Sequence, residues 1–127
     1  MIEAEALTKR YGSLTAVDAL TFGVEPGEIL GFLGPNGAGK STTLRILSGF
    51  QPPSSGRARI DGCDLQDASL QARQRIGYLP ENFVAPPELR VGEYLRFRAR
   101  LKGLKRGEAR QRAARVVETL GLEDRVR

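Results

Sequence analysis

Apolar and polar residues alternate weakly over residues 2–7 (IEAEAL), which predicts a strand closed by the polar, Gly-containing break at residues 8–12. Residues 17–24 (VDALTFGV) predict a second strand, closed by the turn Glu25, Pro26, Gly27, Glu28. Residues 28–33 (EILGFL) are a near-continuous apolar run, the pattern of a strand buried on both faces. A Gly-rich segment follows. Beyond it a helix is predicted from about Lys40 to Ser48, with Leu44 and Leu47 three apart on one face. Residues 52–56 (PPSSG) read as a loop, 57–61 (RARID) as a short strand running into the Asp61-Gly62 turn, and 75–79 (RIGYL) as a strand stopped by Pro80. From Val91 the period becomes helical, first as an imperfect stripe of Val91, Tyr94, Leu95 and Leu101. Ala109, Ala113, Val116, Val117 and Leu120 then fall at i, i+4, i+7, i+8 and i+11, with Arg110, Arg112, Arg115 and Glu118 off the stripe. Glu108 and Arg112 are spaced to pair one turn apart, and Gly121 is placed to stop the helix.

Composition narrows the class. With 127 residues, 40% hydrophobic and 28% charged, the chain has the balance of one soluble globular domain, neither disordered nor collagen-like. No apolar stretch approaches the length of a transmembrane helix. Glu3 and Glu5 stand where a signal peptide needs a basic start, so a cytosolic protein is expected. A lone Cys63 excludes an internal disulfide, and the lack of His excludes histidine catalysis and a zinc site built on His or several Cys. The net charge of +5 divides into −1 over residues 1–87 and +6 over residues 88–127. Such asymmetry suits nucleic acid, a membrane surface or an acidic partner; a solvated helix face in a chain with 16 Arg and 4 Lys is the plainer account.

One segment carries chemistry. Gly34, Pro35, Asn36, Gly37, Ala38, Gly39, Lys40 and Ser41 fit the phosphate-loop pattern G-x-x-x-x-G-K-[ST] at every position, between a predicted buried strand and a predicted helix. The glycines let the backbone fold tightly and turn successive N–H groups toward an anion, and the helix start adds its positive end. Lys40 is suited to the β- and γ-phosphates, the Ser41 hydroxyl to Mg²⁺, and the Thr42 hydroxyl to the α-phosphate.

The chain resembles the ATP-binding subunits of ABC transporters over its whole length. The residues that carry the resemblance are 7–12 (LTKRYG), 24–49 (VEPGEILGFLGPNGAGKSTTLRILSG), 52–62 (PPSSGRARIDG) and 75–81 (RIGYLPE). It implies an α/β fold of the P-loop NTPase type with three parts: an N-terminal antiparallel β region, a partial parallel core and the start of a helical subdomain. On that reading residues 1–127 form an incomplete nucleotide-binding domain, with 1–87 the β-rich ATP-binding part and 88–127 the opening of the helical subdomain. The resemblance also implies that Tyr11 stacks on adenine with Val17 supporting it. Where the family has a glutamine that touches Mg²⁺ and the attacking water, this chain has Glu81, which can ligate a hard cation or stand as a solvated loop carboxylate. Residues 76–81 (IGYLPE) together with 31–42 (GFLGPNGAGKST) resemble the export-type branch.

The expected cofactors are therefore ATP and Mg²⁺. The expected partners are a membrane-embedded transporter subunit and a second ABC ATPase subunit, with the chain cytoplasmic and peripheral to the inner or plasma membrane. The family's signature segment, second phosphate-site motif and switch histidine have no counterpart in residues 1–127, so no hydrolysis is expected from this chain alone. The same reading expects the strand at 28–33 to lack its parallel neighbours and the isolated chain to be poorly stable. Two other functions compete: a non-hydrolysing nucleotide-binding or interaction fragment, and an ABC protein acting on nucleic acid or the ribosome. The last is favoured only by the basic C-terminal part, and nucleic acid is not the expected partner.

Overall fold

Gly12 and Ser13 reverse the chain, Gly12 taking φ 58°, and fold the first two strands into a hairpin. The computed structural model describes residues 1–126; Arg127, the last residue of the predicted helical part, lies outside the described residues. Strand β1 (Ile2–Tyr11) pairs antiparallel with β2 (Leu14–Val24) on one edge and with β3 (Ser55–Ile60) on the other. A short β4 (Cys63–Asp64) adds to β3, giving the order β2-β1-β3-β4. Both hairpin strands run further than their alternation suggests, because residues 8–11 still pair across to β2 before the turn. Within the β1–β2 ladder the register shifts between Ala4 and Leu7, and Ala6 and Ala19 adopt φ of 46° and 43°. Two hydroxyls take over where the ladder slips: Ala6 N–H donates to Thr21 Oγ1 at 2.9 Å, and Ala19 N–H donates to the buried Thr8 Oγ1 at 3.0 Å. These irregularities are why the alternation in the sequence is weak.

One face of the sheet is covered by α1 (Lys40–Leu47) and α2 (Ser69–Gln74). Ala4, Leu7, Ala58 and Ile60 of the strands pack with Ile46 and Leu47 of α1, and with Leu65 and Ala72. The predicted Leu44–Leu47 stripe is rotated in the structure. Leu44 is exposed, and Thr43, Ile46 and Leu47 form the buried face, with the Thr43 hydroxyl donating to Gly39 O at 3.0 Å.

Residues 28–33 and 75–79 do not form the strands their patterns predict. Ile29 and Leu33 are each 96% exposed, the opposite of a run buried on both faces. A strand exists only through its ladder, and no described strand pairs with either segment, so both stay irregular. Phe32 packs edge-on to Phe22 with ring centroids 5.3 Å apart, and Ile76 packs against the core of the first unit. All described strand pairs are antiparallel, and the parallel part of the expected core is not assembled among the described residues.

Residues Met1–Tyr78 and Leu79–Arg127 are two compact units. The second is an antiparallel pair in contact, α3 (Val91–Leu101) and α4 (Arg106–Thr119), followed by a 3₁₀ turn at Glu123–Arg125. Each helix start is closed by a glutamate three residues on: Arg90 N–H donates to Glu93 Oε2 at 3.0 Å, and Lys105 N–H to Glu108 Oε2 at 3.1 Å. Glu108 is thereby engaged at the helix start, and its predicted pair with Arg112 is not among the ion pairs of the described residues. Of the predicted α4 stripe, Ala109, Ala113 and Val117 are buried, while Val116 and Leu120 are exposed.

Leu7 is fully enclosed at the centre of the first unit. Leu7→Ala is expected to cost about 2–5 kcal/mol in urea unfolding, through lost burial and the cavity left behind. Leu14→Ala, on the exposed end of the same hairpin, leaves the midpoint unchanged.

Candidate functional site

The phosphate loop is built from backbone that only glycine adopts freely. Gly34, Gly37 and Gly39 take φ of 152°, 85° and 84°, and Gly39 in the left-handed region is the N-cap of α1. Gly39 also meets the hairpin: a Cβ built on it would collide with the Ala16 carbonyl oxygen and stand 3.2 Å from Val17 Cγ2. Val17 is buried, and its methyl faces the loop's end. The β2 strand thus fixes where the loop ends and α1 begins.

Helix α1 begins without a side-chain cap and with no acidic residue in its first turn. The leading N–H groups of a helix have no intrahelical acceptor, and the aligned peptides place positive potential there. Lys40 adds a full charge. Its Nζ donates to Gly34 O at 2.6 Å and Pro35 O at 2.7 Å, which holds the ammonium against the loop and leaves it a third donor. Asn36, Gly37 and Ala38 form the exposed crown, closed by Ala38 N–H donating to Pro35 O at 3.3 Å. Ser41 is exposed and Thr42 half-buried, while the next hydroxyl, Thr43, is spent inside the fold. An exposed concave backbone of this kind, with a lysine and a serine beside it, suits a polyphosphate.

Tyr11 stands at the end of β1, 46% exposed. Its hydroxyl donates to Gln51 Oε1 at 2.8 Å, and Lys9 Nζ lies over its ring, 5.4 Å from the centroid. The structure places Tyr11, Val17 and residues 34–42 in the first unit; Glu81 lies in the second, in an exposed turn. Sequence reasoning passed over Lys9 and Gln51. Lys9 had a signal, since residues two apart share a face of a strand. Gln51 had none, because its contact with Tyr11 spans 40 positions of chain.

Residues 17–127 match the family model described as ABC transporter. The chain belongs to the ABC transporter family. It is 41% identical over 127 residues to the linearmycin resistance ATP-binding protein LnrL of Bacillus subtilis (strain 168), covering 100% of this chain and 41% of that protein. To the probable multidrug ABC transporter ATP-binding protein YbhF of Escherichia coli (strain K12) it is 42% identical over 123 residues, covering 97% of this chain and 21% of that one. Among solved structures, an ATP binding subunit of an ABC transporter superposes with a TM-score of 0.87 at 33% identity, over 99% of this chain and 52% of that one. The ATP-binding cassette MJ0796, a dimer bound to ADP and Pi, superposes with a TM-score of 0.83 at 26% identity, over 99% and 60%. These likenesses put this ABC-family chain in the P-loop α/β fold class, and it spans under half the length of the two curated relatives.

Gly37 in the crown and Gly39 at the helix start separate backbone strain from crowding. At Gly37 a Cβ meets nothing within 4 Å, so Gly37→Ala carries only the left-handed penalty of about 1–2 kcal/mol. Gly39→Ala adds the collision with Ala16 and is expected to lower the urea midpoint clearly more than Gly37→Ala. Equal midpoints would show that β2 does not hold the loop.

Proposed function

We propose that this chain binds ATP with Mg²⁺ as the phosphate-loop part of an ABC transporter ATP-binding subunit. The observation that carries this reading is the loop itself: three positive-φ glycines lead into an uncapped helix start, with the Lys40 ammonium beside it. In this role the loop N–H groups and α1 hold the β- and γ-phosphates, with Lys40 as the cation between them. The Thr42 hydroxyl serves the α-phosphate. Tyr11 stacks on adenine, and Val17 backs both the platform and the loop end.

The donor set suits Mg²⁺. Among the described residues there is no group of three or more His, Cys, Asp or Glu that could cage a metal. Mg²⁺ needs no such cage, since it is usually held by one or two protein oxygens together with phosphate oxygens and water. Ser41 is the protein ligand beside the loop; a metal role for Glu81 rests on its place in the family pattern alone. When bound, the ion neutralises charge between the terminal phosphates.

Hydrolysis and transport belong, in this proposal, to a longer subunit of which these 127 residues are a part, as the coverage of the relatives supports. A second ATPase subunit as partner is supported by the dimeric MJ0796 cassette. A membrane-embedded subunit as the other partner is supported by relatives named as ABC transporter proteins. None of the described helices is long and apolar enough to cross a membrane, in keeping with a peripheral cytoplasmic position. An export role is supported by relatives named for linearmycin resistance and Nod factor export, although an iron import protein also matches at 34% identity.

Isothermal titration with MgATP tests the reading. Lys40→Ala removes a charge-assisted contact and is expected to weaken binding about 10- to 100-fold. Ser41→Ala and Glu81→Gln are each expected to reduce the gain in ATP affinity that Mg²⁺ confers, with metal-free ATP binding unchanged by Ser41→Ala. Unchanged binding by Lys40→Ala would overturn the proposal.

A further inference from the structure

The Tyr11 side chain is held by two groups that the phosphate-loop pattern does not include. Its hydroxyl donates to Gln51 Oε1 at 2.8 Å, and the Gln51 amide Nε2 donates in turn to Thr42 O at 3.4 Å, inside the first turn of α1. Lys9 Nζ stands over the ring at 5.4 Å from its centroid and is itself fixed, donating to Pro52 O at 2.7 Å. The segment that carries Gln51 and Pro52 is anchored at both ends. On the helix side, Phe50 and Gln51 N–H donate to Arg45 O at 2.9 and 3.4 Å. On the strand side, Ser54 N–H donates to Thr8 O at 2.8 Å, and Arg10 N–H donates to Ser54 Oγ at 3.0 Å. Residues 50–54 are therefore a strap from the end of α1 to the end of β1, and Gln51 is the point where the strap, the ring and the helix start meet.

We propose that Gln51 and Lys9 are positioning residues for the nucleotide base: they lock the Tyr11 ring in one orientation, close one of its faces, and key it to the helix that carries the phosphate site. The proposal rests on the reading of Tyr11 as the adenine platform. An exposed tyrosine turns about two side-chain bonds, and each of those freedoms would otherwise be lost only on binding. The hydroxyl bond to Gln51 removes that freedom beforehand. The Lys9 ammonium occupies one face as a cation over a π-system, so a purine is directed to the other. The bond from Gln51 to Thr42 O makes the separation between platform and loop a property of the folded chain, matched to one spacing between base and triphosphate.

The test titrates the full chain with two probes, MgATP and magnesium tripolyphosphate, which shares the phosphates and lacks the base. Gln51→Leu and Tyr11→Phe are each expected to weaken MgATP about threefold to tenfold while leaving tripolyphosphate unchanged. Both remove the Tyr11–Gln51 bond, and Gln51→Leu removes the bond to Thr42 O as well, so the double variant is no weaker than Gln51→Leu alone. Lys9→Met weakens MgATP alone in the same way. Parallel loss of both probes in Gln51→Leu would make the residue merely structural and overturn the proposal. So would a Tyr11→Ala loss of MgATP affinity that neither Gln51→Leu nor Tyr11→Phe shares, an outcome that leaves the base platform standing. If Tyr11→Ala leaves the ratio of the two affinities unchanged, the platform itself is wrong and the positioning role falls with it. Tyr11→Phe keeps the ring and its packing, so it carries the test even if Gln51→Leu fails to fold.

Discussion

The approach of Gly39 to the Ala16–Val17 stretch of β2 is the contact on which the site depends. It joins two things that are separate in sequence: a hairpin held by ladder hydrogen bonds, and a loop whose own backbone bonds are few. With no side chain at Gly39, α1 begins directly against the strand. The position of the helix start, and with it the direction in which its N–H groups point, is then set by the sheet. Any side chain at Gly39 meets the Ala16 carbonyl and pushes the start of α1 away from β2.

The rest of the first unit can be read outward from that point. β1 is laddered to β2 as far as Tyr11 and tied on its other edge by Arg10 N–H to Ser54 Oγ, so its far end is a fixed support for Tyr11 rather than a fraying terminus. The buried Thr8 hydroxyl repairs the slip in the β1–β2 ladder by pairing the Ala19 N–H, which lets β2 run on to the loop. Ile46 and Leu47 hold α1 to the sheet from its other end. A hydrophobic face and one close backbone approach thus fix the helix at both ends.

The phosphate loop was legible because its chemistry is local: glycines, lysine and serine act within eight consecutive positions, and each residue type has its own reason to be there. The helices of the second unit were legible in outline from their period, down to Ala109, Ala113 and Val117 as the buried line. The runs at 28–33 and 75–79 misled because an apolar pattern states what a strand would bury, while the strand itself needs a partner to bond. Leu44 misled because two leucines three apart do not fix a face: the buried face of α1 runs through Thr43, Ile46 and Leu47 instead. The strap at Gln51 was invisible for a different reason. It is a contact between residues far apart in the chain, made by a side chain that belongs to no motif.

The bare start of α1 has a thermodynamic consequence. An eight-residue helix with neither a capping side chain nor an acidic first turn lacks the favourable term, of about 1 kcal/mol, that a side-chain cap supplies. An anion held by the loop supplies that term from outside the chain. Ligand occupancy and the folding equilibrium of the first unit are then linked by mass action. At a ligand concentration 100 times its dissociation constant, the folded state gains about 2.7 kcal/mol. A phosphate bound as proposed would stand in for the capping side chain that Gly39 cannot supply, so that filling the loop and completing the helix would be one event.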